Sequence, residues 1–146
     1  MDKIRIKLLR PTSKMPTYGS DHAAGADIYA DIENDIEILP HQTVMIPSGF
    51  AIEIPDGYAG FVYPRSGMAS KRGLASANKV GVIDSDYRGE VIVALHNHSD
   101  APATLSPGER VAQLIIAPVF TPGFVITDEL TDTSRGSGGF GSTGYK

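Results

Sequence analysis

GFAIEIP, residues 49–55, decides the fold class: Phe50, Ile52 and Ile54 alternate with Ala51 and Glu53. Apolar side chains recurring at every second residue are the mark of an extended chain with one face buried. The same period runs through Ile4, Ile6 and Leu8, set between Arg5 and Lys7, and through Ile36 and Ile38 on either side of Glu37. EVIVAL (90–95) adds a run rich in β-branched residues. These runs are short and are separated by turn formers such as LPH, PDG, SPGE and TPG. With 16 glycines and 10 prolines among 146 residues, the pattern predicts an all-β fold, a sandwich or barrel. One stretch predicts a short helix, SGMASKRGL (66–74), with Ser66 as N-cap and Gly73 at its stop. From about residue 131 the composition turns to Gly, Ser and Thr. The expected division is therefore a β domain over 1–130 and a flexible Gly-rich C-terminal arm over 131–146.

The net charge of −4 provides no broad basic field for a polynucleotide, so any bound phosphate must meet a few well-placed cations. The absence of cysteine excludes disulfides and thiolate metal sites and fits a reducing compartment. MDKIRIKLLRP has no signal-peptide apolar stretch, and LIIAPVF (114–120) is far too short to span a bilayer. The expectation is a soluble cytoplasmic protein with no membrane partner.

Three apparent motifs fail on context. Gly136-x-Gly138-x-x-Gly141 matches a dinucleotide fingerprint, and Gly136-x4-Gly141-Ser142-Thr143 approaches a P-loop, yet no βαβ unit surrounds them and Ser142 stands where the lysine belongs. DSDYRG (84–89) begins like a calcium loop, but Arg88 takes a ligand position and Leu95 replaces the bidentate glutamate. His96-x-His98 could place two imidazoles on one strand face for a metal, or simply end a strand in solvent. His22 and His41 carry no pattern.

Three other stretches carry chemistry. In GVIDSDYRGE (81–90), Asp84 follows an apolar run at a strand end, where a carboxylate can deprotonate a water; turn chemistry alone also explains an acidic pair in a tight hairpin. In PRSGMASKRGL (64–74), Arg65 and Ser66 open the helix, an arrangement that suits a phosphate or, equally, a capped surface helix. In GERVAQLII (108–116), Arg110 and Gln113 interrupt an apolar strand and need partners, from each other, the main chain or a ligand.

Together with AAGADIYA (23–30), NKVGVIDSDYRGE (78–90) and RGSGGFGSTG (135–144), these segments resemble, in order and spacing, the five signature motifs of the homotrimeric dUTPases. The resemblance implies a jelly-roll-like homotrimer that hydrolyses dUTP to dUMP and pyrophosphate with Mg²⁺, keeping uracil out of DNA and supplying dUMP for thymidylate synthesis. It implies Asp84 as the base that activates water for attack on the α-phosphorus and Tyr87 as the platform under deoxyribose. Asn78, with the backbone of Gly81, Val82 and Ile83, corresponds to the reader of the uracil edge. Asp27 corresponds to the residue holding Mg²⁺ through water. Arg65, Ser66, Gly67, Arg110 and Gln113 correspond to the groups around the phosphates, with Ser66 and Gln113 positioning water. Lys79, the least expected residue within these motifs, should face away from the base.

The resemblance also gives the tail a purpose, closing over nucleotide on a neighbouring subunit. Arg135 would meet the γ-phosphate, Phe140 would stack on uracil, and Gly138, Gly139, Gly141 and Ser142 would approach the phosphates. Ordering twelve residues costs on the order of 12–24 kcal/mol, whereas a base stack returns about 1–3 kcal/mol. Backbone contacts and docking on a neighbour must supply the rest, so the tail is expected to order only with nucleotide. Two rival readings remain. A dCTP deaminase shares the fold, but its catalytic glutamate would fall at Ala94, which transfers no proton. A non-catalytic nucleotide-binding module would have no use for Asp84.

Overall fold

The computed structural model describes residues 3–139. Eleven strands and one helix are arranged in three antiparallel sheets. The first contains β1 (Arg5–Leu8), β5 (Thr43–Glu53), β9 (Glu90–Asn97) and β7 (Leu74–Ser76), in the order β1-β5-β9-β7. The second contains β2 (Thr17–Tyr18), β3 (Ala26–Tyr29), β11 (Arg110–Pro118), β6 (Tyr58–Tyr63) and β8 (Gly81–Ile83), in the order β2-β3-β11-β6-β8. A two-stranded sheet pairs β4 (Ile36–Ile38) with β10 (Ala103–Leu105). The expected jelly-roll-like β fold is present, as a sandwich of open sheets rather than a closed barrel. No helix among the described residues is long and apolar enough to cross a membrane.

EVIVAL, read from its β-branched residues as a strand, forms most of β9, where burial alternates: Val91, Val93 and Leu95 point into the core and Ile92 points out. The alternation expected in GFAIEIP falls at the end of β5. In β5 it holds for Phe50 and Ile52, but Ala51 is buried as well, because β1 and β9 flank that end of the strand. β1 departs from expectation: Ile6 is only half-buried and Leu8 is exposed, as befits an edge strand. Ile28, Ile38, Ile46, Phe50, Leu74, Leu95, Leu105 and Val111 form the fully buried centre.

Asn97 lies fully buried beside them. Its Nδ2 donates to the Ile38 and Ala101 carbonyls at 2.9 and 2.8 Å, and its Oδ1 accepts from the Ser99 amide and hydroxyl. A polar side chain so deep is tolerated because all its bonding capacity is used.

The helix α1 spans Ser66–Arg72. Its N-cap is Arg65, in an extended conformation, so Ser66 is the first helical residue and not the cap expected from sequence. An Arg side chain cannot accept from the first-turn amides, and no side-chain cap bond forms. Gly73 ends the helix with φ 66°, the left-handed geometry glycine adopts at no steric cost. Beyond Pro118, residues 119–139 carry no helix or strand. The expected boundary at 130/131 falls inside this segment, in which Phe120, Phe124, Val125, Ile126 and Leu130 are all highly exposed.

Candidate active site

GVIDSDYRGE was expected to form a tight hairpin, and the structure corrects this. β8 pairs with β6, whereas β9 pairs with β5 and β7. Residues 84–89 therefore carry the chain from one sheet to the other, and a cavity of about 250 Å³ opens where the sheets part. Its walls come from both sheets: Val62, Gly81, Val82 and Ile83 on one side, Met45, Ile92, Val93 and Ala94 on the other. Asn78, Asp84 and Tyr87 complete the rim. A mostly apolar slot edged by backbone and a few polar groups suits a flat heterocycle.

Asp84 follows β8 directly and is exposed in the single chain. The Tyr87 amide donates to the Asp84 carbonyl at 3.2 Å, closing the turn. The Tyr87 hydroxyl donates to the Glu90 carbonyl at 2.9 Å, which folds its ring back across Gly89. A Cβ on Gly89 would lie 2.4 Å from that hydroxyl, so the ring position requires glycine there. Lys79 is exposed, with φ 64°.

A second cavity, of about 430 Å³, is lined by Asp27, Arg65, Ser66, Gly67, Arg110 and Gln113, with Gly19, Ala23 and Gly25. β3 and β6 flank β11, placing Gln113 opposite both Asp27 and Tyr63. The buried Asp27 carboxylate receives Arg65 Nε at 2.7 Å on one oxygen and Arg110 Nη1 at 3.2 Å on the other. Two guanidinium groups against one carboxylate leave the cleft net positive. Gln113 Nε2 donates to the Pro64 carbonyl at 3.0 Å, and its Oε1 lies over Gly25, where a Cβ would crowd it. The partners that Arg110 and Gln113 needed are thus Asp27 and the main chain.

No residue lines both cavities. The structure brings Asn78, Gly81, Val82, Ile83, Asp84 and Tyr87 together, and separately Asp27, Arg65, Ser66, Gly67, Arg110 and Gln113. Arg135 joins neither set: its Nε donates to the Gly138 carbonyl at 2.8 Å in a local turn. Gly139 follows, and Phe140, Gly141 and Ser142 lie outside the described residues. Gly25 and Gly89 are site residues that sequence reasoning missed; both lie inside the quoted motifs, but only the packing reveals what they admit.

His96 and His98 stack edge to face with centroids 4.4 Å apart, and His96 Nδ1 shares a hydrogen bond with Thr43 Oγ1 at 2.8 Å. Burial, then the neighbouring His96, Lys79 and His41 charges, holds the His98 imidazole below its ordinary value. No group of three His, Cys, Asp or Glu side chains among the described residues is arranged to hold a metal.

The family model described as dUTPase matches residues 12–144. The chain belongs to the dUTPase family. A deoxyuridine 5'-triphosphate nucleotidohydrolase of Desulfitobacterium hafniense is 49% identical over 145 residues, covering 97% of this chain and 96% of that protein. The one from Polynucleobacter asymbioticus is 44% identical over 147 residues, covering 99% of each. Among solved structures, the dUTPase of Staphylococcus bacteriophage 80alpha with dUPNHPP superposes with a TM-score of 0.90 at 28% identity, over 99% of each chain. An aspartate-to-asparagine mutant of the phage phi11 dUTPase, described for its coordination of a structural Mg(II) ion, aligns with a TM-score of 0.77 at 26% identity, over 88% of this chain and 98% of that one. The slot between the sheets and the arginine-lined cleft are the two places where four of the five signature motifs gather.

Proposed function

We propose that the chain is a cytoplasmic, Mg²⁺-dependent dUTP diphosphatase. It cleaves dUTP to dUMP and pyrophosphate by water attack on the α-phosphorus, and each working site is assembled from different subunits of a homotrimer. The observation that carries this reading is the division of the chemistry-bearing residues between two cavities. The apolar slot offers a base-sized space and a carboxylate, whereas the cleft offers cations. A triphosphate nucleotide needs both at once, and no residue of the single chain lines both. Phe120, Phe124, Val125, Ile126 and Leu130, exposed on an isolated chain, supply apolar surface that a neighbouring subunit would cover.

In this reading, uracil enters the slot edgewise between Asn78 and the Gly81–Ile83 backbone, and deoxyribose lies on the Tyr87 ring. Asp84 accepts a proton from water beside the sugar, within reach of the α-phosphorus. Arg65, Arg110, Ser66 and Gln113 of a neighbouring chain hold the phosphates in line, Ser66 and Gln113 also orienting water, and Gly67 lets the phosphates approach the backbone. Arg135 meets the γ-phosphate, and Phe140, with Gly138, Gly139, Gly141 and Ser142, closes over the nucleotide. Such a reaction depends on positioning and charge neutralisation more than on covalent help.

The donor set fits magnesium only through water. Each Asp27 oxygen already accepts from a guanidinium and keeps one further lone-pair direction. Among the described residues no cluster of carboxylates is arranged to ligate it directly. Bound with the triphosphate, Mg²⁺ would neutralise charge building on the leaving pyrophosphate. A deaminase reading is not favoured, since the pocket wall at position 94 is an alanine methyl. Pyrophosphate release is expected from dUTP with Mg²⁺, and not from dCTP. Ammonia release from dCTP would support the deaminase instead, and binding without turnover would support a regulatory module.

A further inference from the structure

Tyr87 is tied to a network outside the base slot. Its hydroxyl is anchored on the carbonyl of Glu90, at the start of β9, opposite Ala51 of β5. The β5–β9 register shifts between Pro47 and Ala51, and this irregularity turns the Gly49 amide onto the Glu90 carboxylate at 2.8 Å. Arg10 spans the gap from the N-terminal segment. Its Nη1 and Nη2 both bond Glu90, and its Nε donates to Asp31 at 2.7 Å. The Ser13 hydroxyl also donates to Asp31, at 2.8 Å, and accepts from the Arg10 amide. Gly49 has φ 77°, and a Cβ there would sit 2.2 Å from Asp31 Oδ2, so the junction closes only around glycine.

The charges agree with the geometry. Hydrogen bonding to Glu90 and Asp31 raises the Arg10 guanidinium above its ordinary value. The Arg10 bonds hold the Glu90 carboxyl below its usual range against the opposing effect of burial. Burial alone would push Asp31 up, but bonds from Thr12, Arg10 and Ser13 outweigh it. Arg10 and Gly49 therefore meet on the residue whose carbonyl holds the Tyr87 phenol, and Asp31 joins them through Arg10.

We propose that the Arg10–Glu90–Asp31 clamp is a positioning device for the Tyr87 ring, and so sets how strictly the site refuses a 2'-hydroxyl. This rests on the reading of Tyr87 as the deoxyribose platform. Arg10 lines neither cavity; it acts by fixing the Glu90 peptide on which the phenol hangs. Shifting that peptide by a fraction of an ångström would let the ring tilt and admit ribose.

The test is the ratio of kcat/KM for dUTP over UTP in the intact enzyme, with affinities for dUpNHpp and its ribo counterpart as an independent readout. Arg10→Met is expected to lower the ratio on the order of tenfold, mainly by improving relative use of UTP. Glu90→Gln keeps an acceptor for Gly49 and Arg10 and should retain most of the discrimination. Arg10→Lys keeps the charge without the fork, should lose several-fold, and decides the matter should Arg10→Met not fold. A lower Tm with an unchanged ratio in both Arg10 variants would make the clamp purely structural and overturn the proposal. Tyr87→Ala runs alongside. If it leaves the ratio unchanged, the platform itself is wrong and the proposal falls with it; if it collapses the ratio while the Arg10 variants do not, the clamp alone is refuted.

Discussion

The slot between the sheets and the arginine-lined cleft are built on opposite principles. The slot takes its shape from backbone and apolar side chains, fixed by the β6–β8 and β5–β9 ladders and by glycines at 81 and 89. The cleft takes its shape from ionic side chains, Arg65 and Arg110 closing on Asp27 across long stretches of sequence. A ladder cannot yield to a misfitting base without breaking main-chain bonds, so the first arrangement is suited to selection. A paired guanidinium can exchange a carboxylate for a phosphate at little geometric cost, so the second is suited to gripping charge that every nucleoside triphosphate shares. Base selection and water activation should therefore reside in the slot, and the gripping and neutralising of phosphate charge in the cleft together with the arm.

The hardest test of that division is at Asp84. Asp84→Asn should lower kcat by about 10²–10⁴-fold, the usual contribution of a general base, with dUpNHpp binding and Tm retained. Near-normal turnover would move water activation elsewhere, Asp86 being the next carboxylate along the loop.

Deleting residues 135–146 should leave Tm unchanged, because the described part of this segment bonds only within itself and to the adjacent Thr133. Turnover should still fall by about 10²–10³-fold, the cost of removing a donor aimed at developing charge. Phe140→Ala should be milder, losing about 1–3 kcal/mol of base stacking. Equal thermal and catalytic losses on deletion would mean the arm is part of the fold.

Glycine substitutions separate the two cavities more finely. Gly89→Ala forces the Tyr87 ring aside and should raise KM for dUTP on the order of tenfold while leaving phosphate binding intact. At Gly67 an added methyl meets nothing within 4 Å. Gly67→Ala should therefore leave the free protein unchanged and reveal, through pyrophosphate inhibition, whether phosphate approaches that backbone. Identical effects of the two substitutions would erase the distinction.

The smallest expected effect concerns acid. Glu90 and Asp31 titrate below their ordinary values when folded, so the unfolded chain binds the extra protons. Their contribution is complete above roughly pH 4–4.5 and is lost as pH falls through the lower folded-state values. Tm should drop more steeply there for the parent protein than for Arg10→Met; parallel curves would remove the clamp from the acid response.

Much of this was legible in the sequence. Alternation in GFAIEIP identified a buried face, the β-branched run EVIVAL a strand, and Gly73 the helix end, because these depend on local geometry. The partner of each strand did not follow, since period-two patterning is the same whether β8 and β9 form a hairpin or part company. Nor did the meeting of Arg65 and Arg110 on Asp27, the Arg10 clamp, or the saturation of Asn97, all made between segments far apart in the chain. The motifs named the site residues as one set; only the packing shows them as two.

That separation is the central claim, and mixing two variants within the proposed homotrimer tests it most directly. Asp84→Asn damages only the slot and Arg65→Ala only the cleft, so each homotrimer should be nearly inactive. Co-assembled in equal amounts, they should recover about a quarter of parental dUTP turnover, because random assortment joins an intact slot to a neighbour's intact cleft in that share of sites. Mixed assemblies no more active than either variant alone would mean that each chain carries a complete site, and would contradict the account.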